Sequence, residues 1–276
     1  FDTGAADRDP KFIIDADPRL AVVFGSWFPR WSSPQSIASA EHDLISHLSA
    51  TRDGTSWSTP RQLYGVNYWM WRIFRDDEGV FWCPAYHFGR RDDRDMRTVH
   101  LLRSEDLFDW RLIGAMRSGG GPGEPVLFAP ESGRLGCVVR TLEPNHHSWL
   151  GQRDPTSGEW TWDDLGVMIH APVVLQHQGR LLVAGRSQEE DLPADAIVSY
   201  REQGDPSGHH TSVWEINGTT ASHLLTVPSG HDCSYCGLTS AADGTILMSY
   251  YSQHERLPLP RDRPTPADVY LARIQL

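Results

Sequence analysis

Short apolar runs, many alternating with polar residues, recur between clusters of Gly, Pro, Asp and Ser, and no stretch sustains a 3.6-residue helical period. That pattern predicts an all-β chain of many short strands. Five stretches repeat one layout: an apolar strand, a turn carrying Asp, Gly or Pro, and a second apolar strand ending on a polar or aromatic residue. They are residues 11–26, 69–87, 124–140, 171–186 and 235–251. Their turns are Asp17-Pro18-Arg19, Asp77-Glu78-Gly79, Glu131-Ser132-Gly133, Gln178-Gly179 and Asp243-Gly244. Successive turns lie roughly 45–65 residues apart, the span of a four-stranded propeller blade with its loops. Third strands are expected at 43–49, 98–104, 148–152, 210–216 and 268–274, outer strands at 111–115 and 224–227, and long loops at 189–208 and 257–266. The prediction is a β-propeller of four-stranded antiparallel blades, a single domain over residues 1–276, with units at about 8–65, 66–117, 118–168, 169–228 and 229–276.

Charge narrows the function. The chain carries 36 acidic against 25 basic residues in 276, a net charge of -11. Lys11 is its only lysine; the other basic residues are arginines. A net negative chain lacks the dense basic footprint of a nucleic-acid binder. No apolar run approaches the ~20 residues of a membrane helix. The chain as given, which begins at Phe1, carries no signal-peptide pattern. A soluble protein is expected, with its compartment open. Cys83, Cys137, Cys233 and Cys236 read best as buried free thiols, so neither a metal nor a cofactor is expected.

A smaller repeat sits between the third and outer strands. Thr51-Arg52-Asp53-Gly54-Thr55-Ser56-Trp57 and Ser104-Glu105-Asp106-Leu107-Phe108-Asp109-Trp110 share Ser/Thr-x-Asp-x-x-x-Trp. Asp can bond the turn backbone while Trp packs over the hairpin. The pattern resembles the Asp box (BNR repeat), with Leu107 where the second copy would carry Gly.

With Arg8-Asp9-Pro10-Lys11, Trp69-Met70-Trp71-Arg72, Trp160-Thr161-Trp162-Asp163-Asp164-Leu165-Gly166, Pro228-Ser229-Gly230-His231-Asp232-Cys233-Ser234-Tyr235, Ser249-Tyr250-Tyr251-Ser252-Gln253-His254-Glu255 and the closing Val269-Tyr270-Leu271-Ala272-Arg273-Ile274, the chain resembles the sialidase (neuraminidase) superfamily over essentially its whole length. The resemblance implies a six-bladed propeller, an arginine cluster gripping a sugar carboxylate, a Tyr nucleophile helped by Glu, and an Asp acid/base. Guanidinium forks suit carboxylates, and a phenol becomes a nucleophile only when a base takes its proton. Carried over, it assigns Tyr235 as nucleophile, Glu124 as its helper and Asp232 as auxiliary acid. Arg140, Arg186 and Arg72 become clamp residues. His87, Tyr251 and His254 are added as substrate-binding candidates near strand ends. Five units are visible and the family's first-blade Arg and Asp are not found, so a missing N-terminal blade or a five-bladed relative is expected. Arg8-Asp9-Pro10 is similar to the start of the family's second blade.

Each assignment has an ordinary alternative. Arg140 and Arg186 fit surface arginines at strand ends, Glu124 an ion-pair partner, and Tyr235 a packed aromatic. Arg72 fits a stacked arginine among tryptophans, and Asp9 and Asp232 fit turn-formers. Three functions follow. The first is a sialidase-like exo-acting glycoside hydrolase on a terminal acidic sugar. The second is a non-catalytic glycan-binding propeller. The third is a uronic-acid polysaccharide lyase using His and Tyr. The expected partner is an acidic glycan.

Overall fold

The apolar runs form antiparallel strands where alternation places one face inward, and the Gly- and Asp-bearing breaks form the turns. The computed structural model describes residues 3–14, 19–29, 42–87, 97–131, 133–260 and 265–276. The expected turn at Asp17-Pro18, Ser132 of the third turn and part of the 257–266 loop lie outside the described residues.

Strands β1 (Ala6–Ile14), β2 (Leu20–Pro29), β3 (His42–Thr51) and β4 (Arg61–Gln62) make the first sheet, in that order. The second contains β5 (Tyr68–Met70), β6 (Phe74–Arg75), β7 (Phe81–His87), β8 (Thr98–Ser104) and β9 (Arg111–Ser118), with β5 and β6 both pairing β7. The third runs β10 (Gly123–Phe128), β11 (Gly136–Arg140), β12 (Ser148–Arg153) and β13 (Trp160–Asp164). The fourth runs β14 (His170–His177), β15 (Arg180–Gln188), β16 (His209–Asn217) and β17 (Thr220–Val227). The fifth has three strands among the described residues, β18 (Cys233–Ser240), β19 (Ile246–Ser252) and β20 (Asp268–Ile274). Each sheet is a meander in chain order, and the fold class is a five-bladed β-propeller. The 189–208 segment, expected as a loop, contains three single 3-10 turns.

By its contacts the chain divides into two compact units, residues 1–137 with 152–161, and residues 138–151 with 162–276. The first is centred on Val23, Leu48, Met70, Phe81, Cys83 and Leu102. The second is centred on Leu182, Ala184, Val213, Cys236, Ile246 and Met248. Both cores are apolar residues of adjacent sheets. The four cysteines are buried thiols, none of them in a disulfide, as expected.

The inner strands share one irregularity. In β1 the pairing jumps between Arg8 and Lys11, so Asp9 and Pro10 together oppose Phe24. In β14 Ala171 and Pro172 oppose Gly185, and in β18 Tyr235 and Cys236 oppose Tyr250. These are β-bulges, which re-aim side chains and recur beside active sites. Proline fits because it has no N–H to give the ladder. The first bulge residue has positive φ each time: Asp9 at 55°, Ala171 at 51° and Tyr235 at 46°. Glu124, also followed by proline, has φ 48° at the start of β10. In the second sheet the inner strand is interrupted over Trp71-Arg72-Ile73, between β5 and β6. A non-glycine residue at positive φ is strained and persists where the surroundings hold it.

The Asp turns have the hydrogen bonds their pattern calls for. Asp53 Oδ1 accepts from the amides of Thr55 (2.8 Å) and Ser56 (2.7 Å). Asp106 Oδ1 accepts from those of Phe108 (2.9 Å) and Asp109 (2.8 Å). A third turn, with a looser spacing to Trp160, repeats the arrangement: Asp154 Oδ1 accepts from Thr156 (2.8 Å) and Ser157 (2.7 Å).

Candidate functional site

Four ionisable residues gather in the first unit. The β1 bulge presents Asp9, and Lys11 follows two residues later; Arg72 comes from the break between β5 and β6, and Glu124 from the start of β10. Their charges act on one another. Glu124 is buried, while Asp9, Lys11 and Arg72 are half-buried. Burial pushes the Asp9 carboxyl above the ordinary carboxylate range; Lys11 and Arg8 restrain that rise and Glu124 adds to it. Lys11 Nζ donates to the Asp9 carbonyl oxygen at 2.7 Å and lies 3.2 Å from the centre of the Trp71 ring. Burial pulls its amine down to about 7, with Asp9 and Glu124 opposing that fall and Arg72 adding to it. Trp71 and Trp69 are themselves buried, and Trp69 stacks parallel to Tyr86 with ring centres 6.2 Å apart. The arrangement is two carboxylates and two cations beside an aromatic wall. Two carboxyl groups whose environments differ can divide proton donation from proton acceptance.

The remaining clamp candidates lie in the second unit. His170 and Arg186 face each other across β14 and β15. Burial, then the charges of Arg140 and Arg186, pull the His170 imidazole down to about 2, so it is neutral at physiological pH. Arg186 gives Nη2 to Asp232 Oδ1 (2.6 Å), to the Cys233 carbonyl (2.6 Å) and to the Tyr251 hydroxyl (3.1 Å). The Tyr251 hydroxyl in turn donates to Asp232 Oδ1 at 2.8 Å. A sugar carboxylate reaching Arg186 would therefore meet a guanidinium already bonded to Asp232. Tyr235 packs edge-on to Tyr251, ring centres 5.8 Å apart. So Arg140, Arg186, Asp232, Tyr235 and Tyr251 fall in one unit, and Glu124 and Arg72 in the other.

The two histidines differ in setting. His87, at the end of β7, is half-buried and packs against Tyr68 at 4.7 Å, with His100 on the same tyrosine at 5.5 Å. His254 is buried, bonded through Nδ1 to Ser252 Oγ at 2.9 Å and packed between Tyr200 and Tyr270. That is the environment of a packing residue. A cavity of about 510 Å3 opens elsewhere in the first unit, beside the Asp53 turn, lined among others by Arg19, Arg61 and Phe108. None of the candidate residues lines it.

Glu124 stands near the start of its strand as expected, whereas Asp9, expected as a turn-former, lies in a bulge within β1, two residues before Lys11. Asp9-Pro10, Glu124-Pro125 and Ala171-Pro172 repeat one step, an acid or small residue before proline, in three inner strands.

No protein-family model matches the chain, and neither does any curated protein. Solved structures do match. An endo-arabinase of Bacteroides thetaiotaomicron aligns over 98% of this chain and 94% of its own, with TM-score 0.60 and 11% identity. A beta-1,2-mannobiose phosphorylase of Listeria innocua, determined with beta-1,2-mannobiose, aligns over 89% of this chain and 86% of its own, with TM-score 0.62 and 10% identity. A family 117 glycoside hydrolase of the marine bacterium Zobellia galactanivorans aligns over 99% and 86%, with TM-score 0.62 and 11% identity. At such identities the likeness is one of fold.

Proposed function

We propose that the chain is a glycoside hydrolase whose acid and base are Asp9 and Glu124. The observation that carries this reading is that both carboxylates stand at positive φ, each before a proline of an inner strand, Asp9 in the β1 bulge and Glu124 at the start of β10, with their charges coupled. Strain kept at two such positions is what a site that must aim two carboxyl groups would retain. A pair of carboxyl groups is the usual equipment for cleaving a glycosidic bond: one protonates the departing oxygen and the other activates water or attacks the sugar. Trp71 and Trp69 line the same region, and carbohydrate-active proteins are prominent among the structures of similar fold.

The alternative is a sialidase-type reaction on an acidic sugar, with Tyr235 as nucleophile and Arg140, Arg186 and Arg72 as clamp. It is favoured by the gathering of Arg140, His170 and Arg186 in the second unit beside Tyr251 and Tyr235. Against it stands the Asp232 carboxylate already seated on Arg186.

The test is a panel of aryl glycosides and oligosaccharides, including arabinosides, xylosides, mannosides and a sialoside, assayed with wild type, Asp9→Asn and Glu124→Gln. Both variants are expected to lose about 10²–10⁴-fold in turnover on the cleaved glycoside. The variant lacking the proton donor should recover on substrates with acidic leaving groups, which assigns the two roles. Wild-type turnover in both variants would remove the pair from the mechanism.

A further inference from the structure

Lysine is the residue type least expected in a protein interior unless something holds it there. This chain has a single lysine, and it is lodged on an inner strand, bonded to the Asp9 carbonyl and within the electrostatic reach of both candidate carboxylates. The groups facing its amine come from each neighbouring element: Asp9 on its own strand, Arg72 from the β5–β6 break, Cys83 on β7 and Glu124 on β10. The Cys83 thiol is pushed well above its ordinary value by burial and stays neutral, so it contributes no charge near neutrality. The amine is fixed by the Asp9 carbonyl at 2.7 Å and by the Trp71 face at 3.2 Å. Its surroundings are dense, yet the residue keeps some exposed surface.

We propose that Lys11 is a positioning residue of the Asp9–Glu124 pair, its amine anchored by the Asp9 carbonyl and the Trp71 face so that its charge governs when the two carboxyl groups hold their protons. The proposal rests on reading those two residues as the reacting pair, but its test does not depend on turnover.

The coupling is reciprocal. A charged Lys11 favours ionised Asp9, and an ionised Asp9 or Glu124 favours charged Lys11. Arg72 carries a permanent charge and cannot switch. Lys11 can, because burial brings its proton loss into the physiological range. Once the amine is neutral, the carboxylates lose one counter-charge and hold protons to higher pH, and the three groups titrate as a set.

Isotope-labelled lysine reads this directly, since a single lysine gives a single side-chain carbon–proton correlation. In the wild-type protein its titration midpoint is expected near 7. In Asp9→Asn and in Glu124→Gln the midpoint should fall, because each variant removes a negative charge that stabilises the ammonium. A midpoint near 10, or one that neither variant moves, overturns the proposal. A midpoint near 7 that falls in both variants upholds it even for a preparation that hydrolyses no glycoside, so failure of the hydrolase reading is seen separately. With a cleaved substrate in hand, Lys11→Met should move the acid limb of kcat/KM to higher pH by about one unit or more, whereas Lys11→Arg should leave that limb in place. A profile the Met variant leaves unmoved overturns the positioning role.

Discussion

Burial perturbs Lys11 and Asp9 in opposite senses, and the same perturbations act on stability. A folded-state amine near 7, against about 10.4 in an unfolded chain, means the unfolded state binds more protons between those values. Folding stability from this group therefore rises as pH increases from about 7. The buried Cys83 and Cys137 thiols, pushed up in the fold, act in the opposite sense once pH passes about 8.5. The histidines that burial depresses act in the same sense as the lysine, with an effect that fades as pH climbs past their unfolded value of about 6.5. Wild type and Lys11→Met share these imidazoles and thiols, so the difference between the two proteins from pH 7 to 8.5 isolates the lysine. Urea denaturation across that range should give a midpoint that climbs more steeply in wild type than in Lys11→Met; parallel curves would contradict the burial of the amine.

At the scale of the strand, the backbone tolerates a break only where packing holds it. Gly25, on β2 beside the Asp9 bulge, shows how tight that packing is. A Cβ there would lie 2.8 Å from Trp69 Cε2, and Trp69 is itself only 3% exposed. Gly25→Ala should cost about 1–3 kcal/mol, because the indole has little room to give. That is a fall of several degrees in Tm by calorimetry, and an unchanged Tm would mean the indole moves freely. Strands were legible where alternation governs them. The expected third strand at 268–274 coincides with β20, and the expected 98–104 with β8. The inner-strand breaks were not legible. Trp69–Arg75 reads as one apolar run in sequence, but Trp71-Arg72-Ile73 leaves the ladder between β5 and β6. Asp9-Pro10 has the composition of a turn, and only the pairing of Arg8 with Gly25 and Lys11 with Val23 reveals a bulge inside a strand.

Over the whole chain, sequence repetition carried the architecture and could not carry the chemistry. Five repeated units became five sheets in order, because a meander needs only short turns and period-two burial. Repetition does not single out the site residues, for a physical reason. Equivalent positions in the repeats hold Asp9, Glu124, Ala171 and Tyr235, and a repeat makes them look interchangeable although only two are carboxylates. The family resemblance favoured Tyr235 helped by Glu124 with the arginines as clamp, whereas the proposed pair joins Glu124 to Asp9, whose charges couple with Lys11. The decisive measurement sets the two readings side by side: kcat of Glu124→Gln, Asp9→Asn and Tyr235→Phe on the best-cleaved glycoside. The carboxylate account predicts losses of about 10²-fold or more in the first two and turnover within a few-fold of wild type in Tyr235→Phe. Activity lost with the tyrosine hydroxyl but kept in Asp9→Asn would contradict it.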